Sequence, residues 1–557
     1  MGMGKDLYGG GDTLITLAEM KDISIPAFDL VIILAYLLII IIIGILSAQR
    51  KRISSEGFFL AGRSLNWAMI GAALFAANIS TIHMVGLAAN GFKDGIVWGN
   101  FEWMATFLLI ILALFFAPFY FKNKVSTLPQ FLEKRYGPNA RSFFAFIVII
   151  TALFSHIGVS LYAGAVVLKT FFGIDIMVSI LVISFITTLY SILGGLRAIV
   201  VIESFQSLIL IGGAALLTIL SFSLLPDKGI HSMAELRAVL RPNQLDILQT
   251  GNTSILPWYA ILLGYPVLGI YYWCADQTIV QKVLGAKTMA DAQNGPLFAG
   301  FLKILPVFIM VFPGILAYAL FSDKIADPND TLMVLISNVL PSGLMGLMTA
   351  ALLAALMSTI SAALNSVGTL VSLDIVKRIR PSTPDKIVLR AGRITSLVVI
   401  ILAISWSPWI GRFESIFDAI SIVLSMLSPP VASVFVMGIL SRRGNDRVAL
   451  STMIFGLAAG AMVFCLDFDP ISGSKLITDG LGIPFLMQAW WLFVFCIAFY
   501  LISSFYSKPR PLEEIQNLIF TKEHFQGFRS RINSIKDPRI WTGILLIIMI
   551  LLYVYFG

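Results

Sequence analysis

The chain has 557 residues, of which 58% are hydrophobic and 13% are charged, and its formal net charge at pH 7 is +8. Soluble domains carry about 25% charged residues, so this composition excludes an ordinary soluble protein and indicates a polytopic membrane protein. The positive charge does not indicate nucleic-acid binding, because basic residues in a membrane protein concentrate in short loops and set its orientation.

Apolar runs long enough to span a bilayer, about 20 residues each, recur along the whole chain. They fall at 26–47, 64–92, 98–121, 142–168, 174–193, 197–224, 254–280, 295–321, 343–373, 391–410, 413–440, 448–467, 484–506 and 538–556. This pattern predicts an all-α polytopic membrane protein with about 14 transmembrane helices. A short amphipathic helix is expected at Ser232–Leu240, in a polar segment between two spans.

The basic residues between the spans predict the orientation. If both termini lie outside, the most basic loops all lie on the inner side of the membrane. They are Arg50–Arg52, Lys377–Arg380, Arg442–Arg447 and the charged segment 507–537. Because positively charged short loops stay in the cytoplasm, we expect a multi-pass protein of the cell (inner or plasma) membrane with both termini outside.

Two of the spans are interrupted by polar or helix-breaking residues. The span 64–92 holds, within six residues, Asn78, Ser80, Thr81 and His83. The span 254–280 holds Gly264, Pro266, Gly269 and Asp276. Because unpaired polar groups in hydrocarbon are costly, we expect both spans to be broken helices that line an ion or substrate site. They lie about five spans apart, as expected if two inverted five-span repeats each begin with a broken helix.

Three charged residues inside the spans each have a structural and a functional interpretation. Glu102 is either a carboxylate at a water-exposed rim or an acceptor for substrate hydroxyls. Lys303 either extends to the membrane surface or faces a polar cavity. Glu203 either pairs with Arg197 or contacts a cation pathway.

Uncharged polar residues leave the same choice open. His83 is either a hydrogen-bonded core histidine or a neutral donor and acceptor at the site. The hydroxyls of Ser358 and Thr359 either bond within their own helix or supply the hard oxygen ligands that sodium needs. No motif of nucleophilic, metal-dependent or nucleotide-dependent catalysis is present, so we expect that the protein is not an enzyme.

Several stretches, in order over nearly the whole chain, resemble the sodium/solute symporter family, specifically its sodium/glucose cotransporter branch. They are Glu56–Arg63, Ala76–Ser80, Phe101–Trp103, Tyr190–Leu196, Tyr272–Gln281 and Leu364–Ser366. The resemblance implies a core of two inverted five-helix repeats, at about 64–224 and 254–440, inside a transport core at 63–440. An outer N-terminus with one accessory helix, at 1–62, and accessory helices at 441–557 would flank this core.

The resemblance also implies a co-transported sodium ion. Its implied ligands are the carbonyls of Ala76, Ile79 and Ala355 and the hydroxyls of Ser358 and Thr359. Some family members hold a second sodium with an acidic residue and a further hydroxyl, which here correspond to Glu203 and Ala362. Because Ala362 has no side-chain oxygen, we expect a single sodium.

The implied substrate site agrees with the family pattern in part. Asn78, His83, Glu102 and Lys303 match positions that bond sugar hydroxyls, and Tyr272 matches the aromatic residue that stacks on the sugar and closes the inner gate.

Two positions depart from that pattern. Gly269 stands where bacterial sugar carriers have an asparagine, and Ser421, with Asp418 one turn before it, stands where a substrate-binding glutamine is usual. We keep Ser421 as a substrate contact and Phe417 as an apolar wall and a second gate residue. Without the long amide side chains, either the site selects a sugar or polyol with a different arrangement of hydroxyl groups, or the pocket holds more water.

Together these features predict a sodium-coupled secondary active symporter that imports a sugar or polyol, such as glucose or galactose, by alternating access. Its expected partners are the small solute, sodium and the lipid bilayer, with no nucleic acid, and the sequence gives no oligomeric state. One alternative is a sodium symporter for a carboxylate or an amino acid. The other is a membrane sensor that binds its ligand without transporting it.

Overall fold

The computed structural model of the chain describes residues 26–47, 54–250, 256–412, 416–467, 475–521, 532 and 534–557. These residues are mainly helical, and within them isolated β-bridges join Leu65 to Ala286 and Gln249 to Pro257. The α-helices longer than six residues are, in chain order, α1 (Ala27–Ser47), α2 (Trp67–Asn78), α3 (Thr81–Lys93), α4 (Asn100–Ile111), α5 (Leu128–Arg135), α6 (Pro138–Thr151), α7 (Val159–Phe172), α8 (Ile176–Ser223), α9 (Met233–Val239), α10 (Trp258–Gly269), α11 (Gln277–Leu284), α12 (Met289–Leu302), α13 (Phe312–Phe321), α14 (Thr331–Val339), α15 (Leu344–Thr369), α16 (Asp385–Trp406), α17 (Ile416–Leu440), α18 (Asp446–Asp467), α19 (Phe485–Phe505) and α20 (Pro538–Phe556).

The described residues include 10 helical runs long and apolar enough to cross a membrane, or up to 11 if the bent pair α2 and α3 is one span. The predicted all-helical membrane fold is thereby confirmed, whereas the count of about 14 spans stays a prediction. The predicted amphipathic helix is present as α9, where Ser232 Oγ accepts the backbone N–H of Glu235 at 3.2 Å.

Several helical runs contain one wider, π-helical turn. These turns are Leu112–Phe116, Ala152–Gly158, Ile270–Ala275, Val307–Val311 and Leu370–Val376. The turn Ala152–Gly158 joins α6 to α7, and the turn Ile270–Ala275 follows α10 directly. Such turns insert a residue into an α-helix and are frequent at functional sites.

Both predicted helix breaks are present. The first lies between α2 and α3, which meet at an angle of 63°. There Ile79 is extended, with φ −77° and ψ 108°. The second lies at Asp276, before α11, with φ −79° and ψ 122°. In each case a side chain caps the restarted helix, Ser80 at α3 and Asp276 at α11, which satisfies an N–H group that would otherwise be unpaired.

The first broken span is packed tightly against its neighbours. Helix α2 contacts α12 and α8, and α8 runs along α15. A Cβ added at Gly91 in α3 would lie 2.1 Å from Val311 O, and one added at Gly314 in α13 would lie 2.0 Å from Ala88 O. Lipid chains are as apolar as leucine, so helices in a membrane depend on such small residues to approach closely.

Candidate functional site

The break between α2 and α3 leaves backbone carbonyls of α2 without their helical partners. In a continuous helix the Ser80 N–H would donate to Ala76 O, four residues earlier. Here the Ser80 N–H donates to His83 Nδ1 at 3.4 Å, and Ser80 Oγ accepts the His83 N–H at 3.4 Å. This reciprocal pair is a capping box that starts α3 and leaves Ala76 and Ala77 to present carbonyl oxygens to a neighbouring helix.

Two hydroxyls of α15 meet these carbonyls. Ser358 Oγ lies 2.8 Å from Ala76 O and 2.8 Å from Ala355 O. Thr359 Oγ1 lies 3.3 Å from Ala77 O and 3.2 Å from Ala355 O. Neutral hydroxyl and carbonyl oxygens are hard ligands, so this cluster suits a small hard cation and offers nothing to a soft metal.

The structure brings four of the five predicted sodium ligands into contact at this one point. Ala76, Ala355, Ser358 and Thr359 are in the contacts just described, and Ile79 is the residue at the break itself, with its N–H donating to Phe75 O at 3.1 Å. All five predicted ligands are buried. Their role as sodium ligands stays a prediction.

A cavity of about 160 Å³ lies beside this oxygen cluster. Thr359 belongs to the cluster and also lines the cavity. The structure places the predicted substrate residues Asn78, His83, Glu102, Tyr272 and Lys303 on its wall. Phe417 and Ser421, together with Asp418, lie outside the part of the chain whose side chains are described.

Glu102 and Lys303 form a buried ion pair at the cavity, in which Lys303 Nζ donates to Glu102 Oε2. Glu102 is 3% exposed and Lys303 is 1% exposed. Glu102 is therefore not a carboxylate at a water-exposed rim, and Lys303 does not extend to the membrane surface. Lys303 Nζ also lies 5.5 Å from the centroid of the Trp273 ring, within cation–π range. The pair gives the cavity a charged donor and a charged acceptor without an unpaired charge.

Gly269 has a packing reason that the sequence does not reveal. A Cβ at this position would lie 2.6 Å from Leu108 Cγ and 3.3 Å from the Tyr265 ring. The space that a longer side chain would enter is therefore occupied by Leu108, an apolar group. A Cβ at this position therefore meets Leu108, while Gly269 itself lines the cavity.

Glu203 lies in a second buried ion pair, away from the predicted partner Arg197, which is exposed. Its carboxylate lies 3.5 Å from Lys282 Nζ, and both side chains are 1% exposed or less. Lys282 Nζ also donates to Thr278 O at 3.2 Å. A cationic side chain thus stands beside the acidic residue that the family resemblance associates with a second sodium.

One histidine on the cavity wall was not predicted from the sequence. His156, in the π turn Ala152–Gly158, lines the cavity, and its Nε2 lies 3.1 Å from Asp276 Oδ2. The sequence held a signal for a polar site, because His156 is an isolated histidine in the apolar span 142–168 and Asp276 lies at the second break. The two residues are 120 positions apart, and nothing in the sequence indicates that they meet.

Two broken spans, a cluster of neutral oxygens at one of them and a polar cavity between helices define a multi-pass membrane transport protein. The model of the sodium:solute symporter family matches residues 58–456, and the chain belongs to this family. The predicted family is thereby confirmed.

Curated relatives agree over most of the chain. Sodium/glucose cotransporter 1 of Mus musculus is 32% identical over 551 residues, which cover 90% of this chain and 82% of that protein. Sodium/myo-inositol cotransporter 2 of Oryctolagus cuniculus is 33% identical over 479 residues, which cover 80% of this chain and 71% of that protein.

Among solved structures, the fold is similar to that of a Na+-coupled sialic acid symporter in its substrate-bound outward-open state. The TM-score is 0.73 at 19% sequence identity, over 87% of this chain and 99% of that chain. At this identity the likeness extends to the fold alone.

The Glu102–Lys303 pair gives a prediction for stability. Glu102→Gln leaves a buried ammonium without its counter-charge, and Lys303→Gln leaves a buried carboxylate without one. Each is expected to lower the free energy of unfolding by about 3–5 kcal/mol. The double variant removes both charges, so we expect it to recover most of that loss. Thermal unfolding of the detergent-solubilised wild type, the two single variants and the double variant completes a double-mutant cycle. If the loss of stability in the double variant equals the sum of the two single losses, the two residues are not coupled and the prediction is wrong.

Proposed function

We propose that this protein is a sodium-coupled secondary active symporter that imports a neutral sugar or polyol by alternating access. The observation that carries the proposal is the meeting of the Ser358 and Thr359 hydroxyls with the carbonyls freed at the break of α2, directly beside a polar cavity. Ion and solute would then share one wall. Relatives named for glucose and for myo-inositol support the same class of solute.

In this proposal one sodium ion binds between α2 and α15. Its ligands are the carbonyls of Ala76, Ile79 and Ala355 and the hydroxyls of Ser358 and Thr359. When the ion is absent, the hydroxyl hydrogens point at the carbonyls. When it binds, the same hydroxyls turn and offer lone pairs, because a hydroxyl both donates and accepts. The cation thereby replaces the hydrogen bonds between the two helices.

The solute binds in the adjacent cavity. Asn78 Oδ1 is buried without a hydrogen-bond partner among the described residues, so it is an acceptor for a solute hydroxyl. His83, Glu102 and Lys303 add polar contacts, and Tyr272 supplies an aromatic face. We propose Ser421 as a further contact, and Tyr272 and Phe417 as gates.

A carboxylate or amino-acid substrate is less well supported. Such a solute needs an unpaired cationic side chain at the cavity. Among the described residues that line the cavity, Lys303 is the one with a cationic side chain. Glu102 already neutralises its charge. The relatives are cotransporters, which favours transport over a sensor that only binds, and we propose no enzymatic reaction.

The membrane placement follows from the charges of the loops. We propose a location in the cell (inner or plasma) membrane with both termini outside, because the clusters Arg50–Arg52, Lys377–Arg380 and Arg442–Arg447 then lie inside. The transport core would comprise residues 63–440, with repeats at about 64–224 and 254–440. The accessory segments 1–62 and 441–557 would flank it.

We propose one sodium per solute. The Lys282 ammonium already stands 3.5 Å from the Glu203 carboxylate, and Ala362 offers no oxygen, so a second cation lacks both a free anion and a hydroxyl. One charge crossing 100 mV yields about 2.3 kcal/mol, and a tenfold sodium gradient adds about 1.4 kcal/mol. One ion therefore supports roughly 500-fold accumulation of a neutral solute, and two ions would support the square of that ratio.

Uptake by proteoliposomes tests the proposed function. We expect an inward sodium gradient to drive accumulation of glucose, galactose or myo-inositol, and to drive neither a sialic acid nor proline. Sodium-dependent uptake of only the acid or the amino acid would overturn the solute class. Sodium-dependent binding without uptake of any of these compounds would overturn transport in favour of a sensor.

The sodium site predicts a specific loss in Ser358→Ala. Removing a ligand oxygen is expected to raise the sodium concentration for half-maximal uptake about tenfold or more. Ser361→Ala is the matched control, because Ser361 lies on the same helix and its Oγ donates to the backbone carbonyl Ser358 O at 3.0 Å. Equal sodium dependence of the two variants would show that the ion binds elsewhere.

The coupling ratio can be measured from the reversal potential of solute flux in the same vesicles. We expect one sodium per solute for the wild type and for Ala362→Ser, because the Lys282 ammonium still occupies the anionic site. A ratio of two in the wild type would contradict the role proposed here for Lys282.

A further inference from the structure

The pair formed by His156 and Asp276 lies at the cavity and has no role in the proposed sodium or solute contacts. Asp276 is 1% exposed. The His156 side chain is 11% exposed, and this residue lines the cavity. The pair joins the π turn Ala152–Gly158 to the break before α11.

Asp276 is held rigidly by the helix that it caps. Its Oδ1 accepts the backbone N–H of Thr278 at 2.6 Å, which leaves Oδ2 directed at His156 Nε2, 3.1 Å away. A carboxylate has no hydrogen to donate. The hydrogen between the two side chains is therefore on His156 Nε2.

For the neutral ring of His156, this contact fixes the tautomer. A neutral imidazole that carries its hydrogen on Nε2 has a lone pair on Nδ1 and is an acceptor there. His156 Nδ1 has no hydrogen-bond partner among the described residues. The structure thus provides an unused acceptor on a side chain of the cavity wall.

His83, on the same cavity, has the opposite polarity. Its Nδ1 accepts the Ser80 backbone N–H at 3.4 Å, and Ser80 Oγ lies 2.8 Å from the same nitrogen. A backbone N–H can only donate, so Nδ1 carries no hydrogen. In the neutral ring the hydrogen is then on Nε2, and His83 offers a donor.

We propose that His156 is a further substrate-binding residue and that Asp276 is its positioning residue. His156 Nδ1 accepts the hydrogen of one solute hydroxyl, while His83 Nε2 donates to the oxygen of another. Hydroxyl groups suit this pair because each can donate and accept. The inference rests on the proposed transport of a sugar or polyol and adds the hydrogen-bond polarity with which two hydroxyls are recognised.

Paired analogues of the transported sugar separate the two polarities. A deoxy sugar loses both donor and acceptor at one ring position, whereas a deoxyfluoro sugar keeps a weak acceptor and loses the donor. At the hydroxyl bound by His156 we expect both analogues to bind about tenfold more weakly. At the hydroxyl bound by His83 we expect the fluoro analogue to bind better than the deoxy analogue.

Variants assign these effects to residues. In His156→Leu we expect about tenfold weaker binding of the parent sugar and no further loss with the two analogues at the His156 position. In Asp276→Asn the amide donates to Nε2, so the hydrogen of His156 moves to Nδ1 and the fluoro analogue at that position gains affinity relative to the deoxy analogue. His231→Leu, at an exposed histidine, is the control and keeps the wild-type pattern.

Equilibrium binding in saturating sodium, together with vesicle uptake, decides the outcome. Sodium-driven sugar uptake by the wild type with an unchanged analogue pattern in His156→Leu would overturn this inference and leave the proposed function standing. Absence of sodium-dependent sugar binding and uptake in the wild type would overturn both. If His156→Leu does not fold, Asp276→Asn is decisive, because it predicts a changed pattern. A gain of the fluoro analogue relative to the deoxy analogue at the His156 position supports the inference, and an unchanged pattern in folded Asp276→Asn overturns it.

Discussion

The site depends on one redirected hydrogen bond. The Ser80 N–H donates to His83 Nδ1 and not to Ala76 O, its acceptor in a continuous helix. This change ends α2 and starts α3, and it leaves carbonyls inside an apolar protein without their helical donors. In hydrocarbon each unsatisfied backbone group costs several kcal/mol. The break is stable because Ser358 and Thr359 donate to those carbonyls. A cation that replaces these hydrogen bonds finds its oxygen ligands already close together. His83, which accepts the Ser80 N–H, also lines the cavity.

The sequence was sufficient for the features that depend on local pattern. Hydropathy predicted the membrane helices, and the polar residues around Asn78 and Ser80 and at Asp276 predicted both breaks, because a capping side chain inside an apolar run is a local signal. Of the five sodium ligands that the family resemblance implies, Ala76, Ala355, Ser358 and Thr359 are in mutual contact at the first break, and their role as ligands stays a prediction.

Features that depend on distant pairing could not be predicted in the same way. Lys303 neutralises Glu102 across 201 positions, so the isolated sequence left a rim carboxylate and a surface-seeking lysine as reasonable interpretations. Glu203 pairs with Lys282 and not with the nearby Arg197. Gly269 is explained by the position of Leu108, a contact between helices that no spacing rule contains.

Three buried pairs, Glu102–Lys303, Glu203–Lys282 and His156–Asp276, share one property. Each joins a residue of segment 64–224 to a residue of segment 254–440. Separating either of the two Lys–Glu pairs without replacing the partner costs about 3–5 kcal/mol, and separating His156 from Asp276 leaves a buried carboxylate oxygen without its donor. Any movement that opens the cavity must therefore keep these contacts or supply water or ligand to each separated charge. The pairs restrict the rearrangements that are open to these two segments.

The π turns have a consequence for how such a site changes during evolution. Ala152–Gly158 carries His156 and Ile270–Ala275 carries Tyr272, so an extra residue in each turn brings a polar side chain to the cavity. Loss of one residue from the turn Ala152–Gly158 would restore an α-helix there and rotate α7 by about 100° with a shift of only about 1.5 Å along its axis. A single-codon deletion would thus replace the side chains that face the solute while leaving the helix in place across the bilayer. A one-residue change in the length of the chain would thus alter the cavity wall in a way that no point substitution can.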